Sequence, residues 1–290
     1  MREWQVGLGE CLQDVIDCSP AGTVLRLAPG EYRQKLVIRT PKVTICGAGA
    51  GQTRIVFADH ARMLDDVSRP VGTFRSFTVA VTAPGVTLSD LSIENDAGDP
   101  VRNGQQVALS VYGDAFSAER CALVSTQDTL FLGPLPPDLL IRYRDLLPEA
   151  LCRDASLSSR FTDCRIDGSV DFIFGGGDAL FSDCEIRSVA DGRQVGYVAA
   201  PSHRRKQTEG FRFENCRFTH GEGVAPESIF LARPWRDYGL ATFTGCTYGG
   251  HIAPAGFDQW GTTDRDRTAR FYESPAVFSR VPWVNRPFAE

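Results

Sequence analysis

Two aspartates hold the same place in a repeating pattern. Asp128 lies seven residues after Cys121, and Asp171 lies seven residues after Cys164. If those cysteines are equivalent points on adjacent turns of a coil, both carboxylates leave one column of the surface. Stacked strands are about 4.8 Å apart, so the two groups would interact strongly. Neighbouring carboxylates resist double ionisation and divide into a charged nucleophile or base and a protonated acid. An isolated aspartate is more often a turn residue, but the flanks here argue otherwise. Asp171 precedes Phe172-Ile173-Phe174-Gly175, where an unpaired charge would be expensive, and Asp128 precedes Thr129-Leu130-Phe131-Leu132. Asp191 shares the offset from Cys184, but its polar Ala-Asp-Gly-Arg setting reads as a solvated turn.

The elements that must position these acids are short strands. Phe161-Thr-Asp-Cys164, Phe181-Ser-Asp-Cys184, Phe213-Glu-Asn-Cys216 and Phe243-Thr-Gly-Cys246 repeat Phe-x-x-Cys followed by x-(Ile/Phe/Tyr). Phe116 to Cys121 is a looser member, and Val86 to Ile93 fits with Leu91 in the cysteine's place. The alternation is that of strands, not helices. The cysteines from Cys121 recur at intervals of 43, 20, 32 and 30 residues. A short apolar strand returning at such intervals predicts a solenoid, in which each coil buries its inner face only against its neighbours. The fold expected is all-β, a right-handed single-stranded parallel β-helix forming one domain over residues 1–290. A helix over Glu10 to Cys18 would cap its N-terminal end. A β-sandwich fits the uneven repeat less well. The 43-residue interval requires an insertion, placed at Gly133 to Ser159 with its prolines 134, 136, 137 and 148 and a short helical turn at Pro148 to Leu151.

Composition narrows the rest. Hydrophobic residues make up 42% and charged residues 23%, with a net charge of -5, so disorder and nucleic-acid binding are disfavoured. No apolar run is long enough for a membrane span. Met1 to Cys11 shows no signal-peptide pattern, which points to the cytoplasm, or to an extracellular or periplasmic site if the N-terminus was trimmed. Nine cysteines without C-x-x-C spacing disfavour a disulfide framework or zinc site, and most are expected to be reduced, buried and small.

These residues resemble the pectin methylesterases (pectinesterases), a family of β-helix carbohydrate esterases. The matches run in order: Gly30-Glu-Tyr32-Arg-Gln34, Thr73-Phe-Arg-Ser76-Phe-Thr78, Gln105-Gln-Val-Ala-Leu109, Gln127-Asp128-Thr-Leu130, Gly168-Ser-Val-Asp171-Phe-Ile-Phe-Gly175 and Leu231-Ala-Arg233-Pro-Trp235. The resemblance implies Asp171 as nucleophile, Asp128 as acid and later base, Gln105 and Gln127 as oxyanion donors, and Arg233 as the partner that holds Asp171 ionised. It implies a methyl-esterified galacturonan or oligogalacturonide as substrate and methanol as product. No cofactor, metal, nucleic acid or membrane partner is implied, and a monomer is expected. Trp235 is expected as a sugar platform, with Thr73, Phe257 and Trp260 also at the substrate; Trp260 could instead cap the helix end. Phe172 should face the interior and Phe174 the cleft.

Three positions depart from the pattern. Gln34 stands where glutamate is usual, Ala232 where glycine is usual, and Phe257 where tryptophan often occurs, which would weaken stacking there. The insertion is expected to limit the cleft to short oligogalacturonides. Competing readings are a polygalacturonase or pectate lyase on the same scaffold, or a non-catalytic carbohydrate-binding β-helix.

Overall fold

The computed structural model describes residues 2–143, 147, 157–278 and 281–285. Cys152 and Pro148 to Leu151 lie outside the described residues. Its strands form three parallel sheets of ten, seven and eight strands, in which neighbours come from successive coils. This is the right-handed parallel β-helix the repeat predicts.

The repeat itself builds the interior. Phe161, Phe181, Phe213 and Phe243 occupy equivalent positions in the ten-stranded sheet. Their rings stack at 4.9, 4.7 and 4.8 Å with interplanar angles of 14°, 10° and 9°. Each cysteine thiol then donates to a carbonyl one coil below: Cys184 to Phe161, Cys216 to Phe181 and Cys246 to Phe213, at 3.5, 3.3 and 3.4 Å. A small, mostly apolar side chain with a weak donor suits that corner. Cys121, Cys164, Cys184 and Cys216 are buried, whereas Cys11 and Cys18 are exposed; all eight described cysteines are free thiols. The residue before each corner cysteine has positive φ: Arg120, Asp163, Asp183, Asn215 and Gly245. Apart from Arg120 in the looser first member, these are Asp, Asn and Gly, the types that best tolerate a left-handed turn, so the third residue of the Phe-x-x-Cys repeat suits the corner.

Helix α1 (Leu12–Cys18) caps the N-terminal end, burying Leu12 and Ile16. Gln13 accepts from the Val37 amide at 2.8 Å and donates to the Val37 carbonyl at 3.0 Å, pairing the main chain of the edge strand Leu36–Ile38. Gln34 explains its own departure from glutamate. Its oxygen accepts from the Leu12 amide at 2.8 Å and its nitrogen donates to the Glu10 carbonyl at 3.1 Å. A carboxylate could accept but not donate. Ala232 closes the strand Ile229–Ala232 and is not among the positive-φ residues, so the absent glycine costs nothing there.

Among the described residues, two further short α-helices interrupt the coils. Helix α2 (Pro100–Asn103) precedes Gln105, and helix α3 (Pro137–Tyr143) lies within the insertion.

Candidate active site

The seven-stranded sheet carries the two acids. Leu130 pairs with Ile173, and Gln127 bridges to Val170, so Asp128 and Asp171 stand in register on adjacent coils. Both have left-handed backbones, with φ of 64° and 49°. On its other side the Asp171 strand is bulged: the step from Val170 to Ile173 matches only that from Tyr197 to Ala199. Such a bulge breaks the inward-outward alternation and re-aims a side chain. Asp171 therefore points outward, while Phe172 and Ile173 both enter the coil interior and Phe174 returns to the groove. Gly168 makes room for this, since a Cβ there would lie 2.1 Å from the Phe172 Cβ.

The groove above the acids has a cavity volume of about 320 Å³. It is lined by Thr73, Phe74, Gln105, Gln127, Asp128, Leu139, Arg142, Tyr143, Asp171, Phe174, Ala200, Trp235, Arg236 and Trp260. Arg233 reaches Asp171 with two parallel bonds, Nε to Oδ1 at 2.8 Å and Nη2 to Oδ2 at 2.6 Å. The guanidinium is sandwiched between Tyr197, 3.6 Å from its ring centre, and Trp260, at 4.0 Å. This geometry fixes the fork in one plane. Trp260 itself has φ of 71°, held by Asp258, which accepts from the amides of Trp260 and Gly261 at 2.7 and 3.3 Å. Trp235 packs edge-on against Phe174 at 5.8 Å.

The electrostatics separate the two acids. Asp128 is 8% exposed, and burial, then the Asp171 charge, pushes its pKa well above the usual carboxylate value. Burial also raises Asp171, but the hydrogen bonds and charge of Arg233 pull against it. The pair thus favours a protonated Asp128 beside an ionised Asp171. Among the described residues, no group of three or more His, Cys, Asp or Glu side chains is placed to hold a metal ion.

Seven of the nine expected residues line the groove, and Arg233 joins them through Asp171. Phe257 does not. It is 3% exposed and packs in the interior against Phe243 and Phe271, with ring centres 5.7 and 5.6 Å away. Its bridge to Ala232 turns its side chain inward, so it is a core residue and not a stacking surface. Asp191 is likewise no solvated turn. Its side chain is 3% exposed, accepts from Ser169 Oγ at 2.5 Å and lies 3.5 Å from an Arg193 nitrogen. Arg193 in turn donates to Gln127 Oε1 at 2.6 Å.

Several residues at the site carry no motif. Tyr197 and Arg193 come from the next coil, where the polar Ala-Asp-Gly-Arg stretch pointed only to a solvated turn. The insertion supplies Leu139, Arg142 and Tyr143. Helix α3 is tied down by Asp138, which accepts from Arg236 at 2.7 and 3.1 Å, and by Tyr143 edge-on to Phe74 at 5.3 Å.

Fold and groove define a class, the parallel β-helix proteins with paired acids and aromatic side chains over an open cleft. The pectinesterase family profile matches residues 5–133 and 155–277. The chain is 31% identical over 292 residues to Pectinesterase QRT1 of Arabidopsis thaliana, covering 94% of this chain and 68% of that protein. The pectin methylesterase PemA from Erwinia chrysanthemi superposes with a TM-score of 0.81 at 26% identity, over 99% of this chain and 93% of that one. A pectin methylesterase solved in complex with a hexasaccharide gives 0.78 at 26% identity, over 96% and 89%. The chain belongs to the pectinesterase family. No helix among the described residues is long and apolar enough to cross a membrane.

Proposed function

We propose that this chain hydrolyses methyl esters of a galacturonan, with Asp171 as nucleophile and Asp128 as acid and base. The carrying observation is the bidentate Arg233–Asp171 pair beside a buried, in-register Asp128. The ionised Asp171 attacks the ester carbonyl, and the resulting oxyanion accepts from the side-chain amides of Gln105 and Gln127, which add no charge to the site. Asp128 gives its proton to the departing methoxy oxygen, so methanol leaves and an anhydride remains on Asp171. Asp128, now ionised, takes a proton from water as that water attacks the anhydride. The product is a free uronic carboxyl group, and both aspartates return to their starting states. Trp235 offers an indole face beside the acids for a sugar ring.

The insertion, which the family profile leaves unmatched between 133 and 155, adds a wall to this groove through α3. That wall favours short oligogalacturonides as the substrate class.

Methanol release from methyl-esterified galacturonan tests the assignment. Asp171→Ala should abolish it while circular dichroism reports an unchanged fold. Wild-type turnover by that variant, or new reducing or unsaturated chain ends in place of methanol, overturns the reading.

A further inference from the structure

Gln127 is useful as an oxyanion donor only in one of its two amide orientations. Flipped by 180°, the same group would turn a carbonyl dipole toward the developing negative charge. We propose that Arg193 is the positioning residue that sets this orientation, through a relay running from Ser169 to Asp191 to Arg193 to Gln127. The inference rests on Gln127 being a donor, as argued above.

A guanidinium has only donors, so Arg193 Nη2, at 2.6 Å, accepts no orientation but the one that presents Gln127 Oε1 to it. The amide nitrogen is then directed away from Arg193 and toward the groove, where it also donates to the Asp128 carboxyl. Arg193 is fixed in turn. Asp191 accepts from the Arg193 backbone amide at 3.0 Å and lies 3.5 Å from its Nη1. Asp191 is anchored by Ser169 Oγ at 2.5 Å. Ser169 is 2% exposed, and its amide donates to the Thr126 carbonyl at 2.7 Å. The relay therefore closes a loop between the two strands that carry the acids, entering one residue before Gln127 and two before Asp171. The charged groups facing Arg193 are Asp191 from its own turn and, from the groove, Asp128 and Asp171, with Arg233 beyond them. Its positive charge lowers the pKa of both acids, so losing it also raises both.

A double-mutant cycle over Arg193 and Gln127 separates this role from its alternatives, with kcat and KM read on methyl-esterified galacturonan at each variant's pH optimum. Arg193→Ala should lower kcat roughly ten- to a hundredfold, part of what one lost oxyanion donor costs, with KM little changed. In the Gln127→Ala background the same change should cost almost nothing more. Arg193→Lys should recover part of the loss, and the Arg193→Ala activity profile should shift to higher pH. Additive losses, or a raised KM with kcat unchanged, would place Arg193 on the substrate and overturn the inference. If Gln127→Ala keeps wild-type kcat, the donor reading fails and takes the inference with it. If Gln127→Ala is impaired while Arg193→Ala is not, only the inference fails. Thermal unfolding of each variant reports that the fold is retained, and Asp191→Asn, which leaves Arg193 in place but loosens it, should show the same kcat effect at smaller size.

Discussion

The ion pair between Arg233 and Asp171 decides which acid is charged. Burial alone would raise both carboxyls, and Arg233 opposes this through hydrogen bonds to Asp171. Arg233→Lys keeps the charge but loses the fork and the stack between Tyr197 and Trp260. Asp171 must be ionised to attack, so the acid limb of the rate profile follows its pKa. With a poorer partner that pKa rises, and the limb should move to higher pH, while the loss of alignment lowers kcat by about a hundredfold. A profile of kcat against pH checks both; an unmoved acid limb would refute the assignment of Asp171. At this scale the acids and Arg233 were legible because each sits inside a motif and the cysteine spacing supplied their register. Phe257 misled because its side of the chain depends on a bridge to Ala232 that spacing does not encode. Asp191 misled because polar neighbours suggested water, whereas Ser169, 22 residues earlier, folds over it.

Among the elements, the coils and the place of the insertion were legible, and the helix inside it was not. Phe-x-x-Cys fixed the ladder because stacking repeats one demand at every turn, and Asp or Asn before the cysteine met the corner's left-handed backbone. Helix α3 escaped because Pro134, Pro136 and Pro137 suggested an irregular loop. Pro137 in fact opens the helix, at the position where a missing N–H costs nothing. Besides the Tyr143–Phe74 ring contact, it is held to the groove by the ion pair between Asp138 and Arg236, which is largely exposed on the aspartate side. Such a pair contributes little to global stability, about 0–1 kcal/mol. Its effect should therefore appear in substrate length and not in melting temperature. Asp138→Ala should leave turnover of a methylated trimer reduced and that of high-mass pectin unchanged or improved, since freeing the wall opens the groove. Side-by-side methanol assays decide it. A wild-type enzyme that clearly prefers the polymer would refute the oligomer reading outright.

At the scale of the whole molecule, stability passes from coil to coil through nearest-neighbour contacts, so one weakened interface exposes the core on both sides. His203 sits at such an interface. It is 1% exposed, its Nδ1 accepts from the Leu240 amide at 3.2 Å, and its Nε2 lies 3.1 Å from the Gly177 carbonyl. The Leu240 N–H can only donate, so Nδ1 is unprotonated, Nε2 carries the proton, and the ring is neutral. Burial pushes its pKa down to about 4. An unfolded histidine titrates near 6.5, so the unfolded chain takes up a proton first as pH falls. The contribution of His203 is thus complete above about pH 6.5, declines as pH drops toward 4, and levels off below, a loss on the order of 3 kcal/mol. The buried acids act in the opposite sense: their raised pKa values favour the folded state as they protonate, which masks the histidine in a single curve. They are common to wild type and His203→Gln, as is His251, so the difference between the two proteins isolates the ring. Urea unfolding from pH 7.5 to 4 should show the variant less stable at the top of the range and the gap closing as pH falls. A gap constant across that range would mean that His203 is not held neutral by the fold.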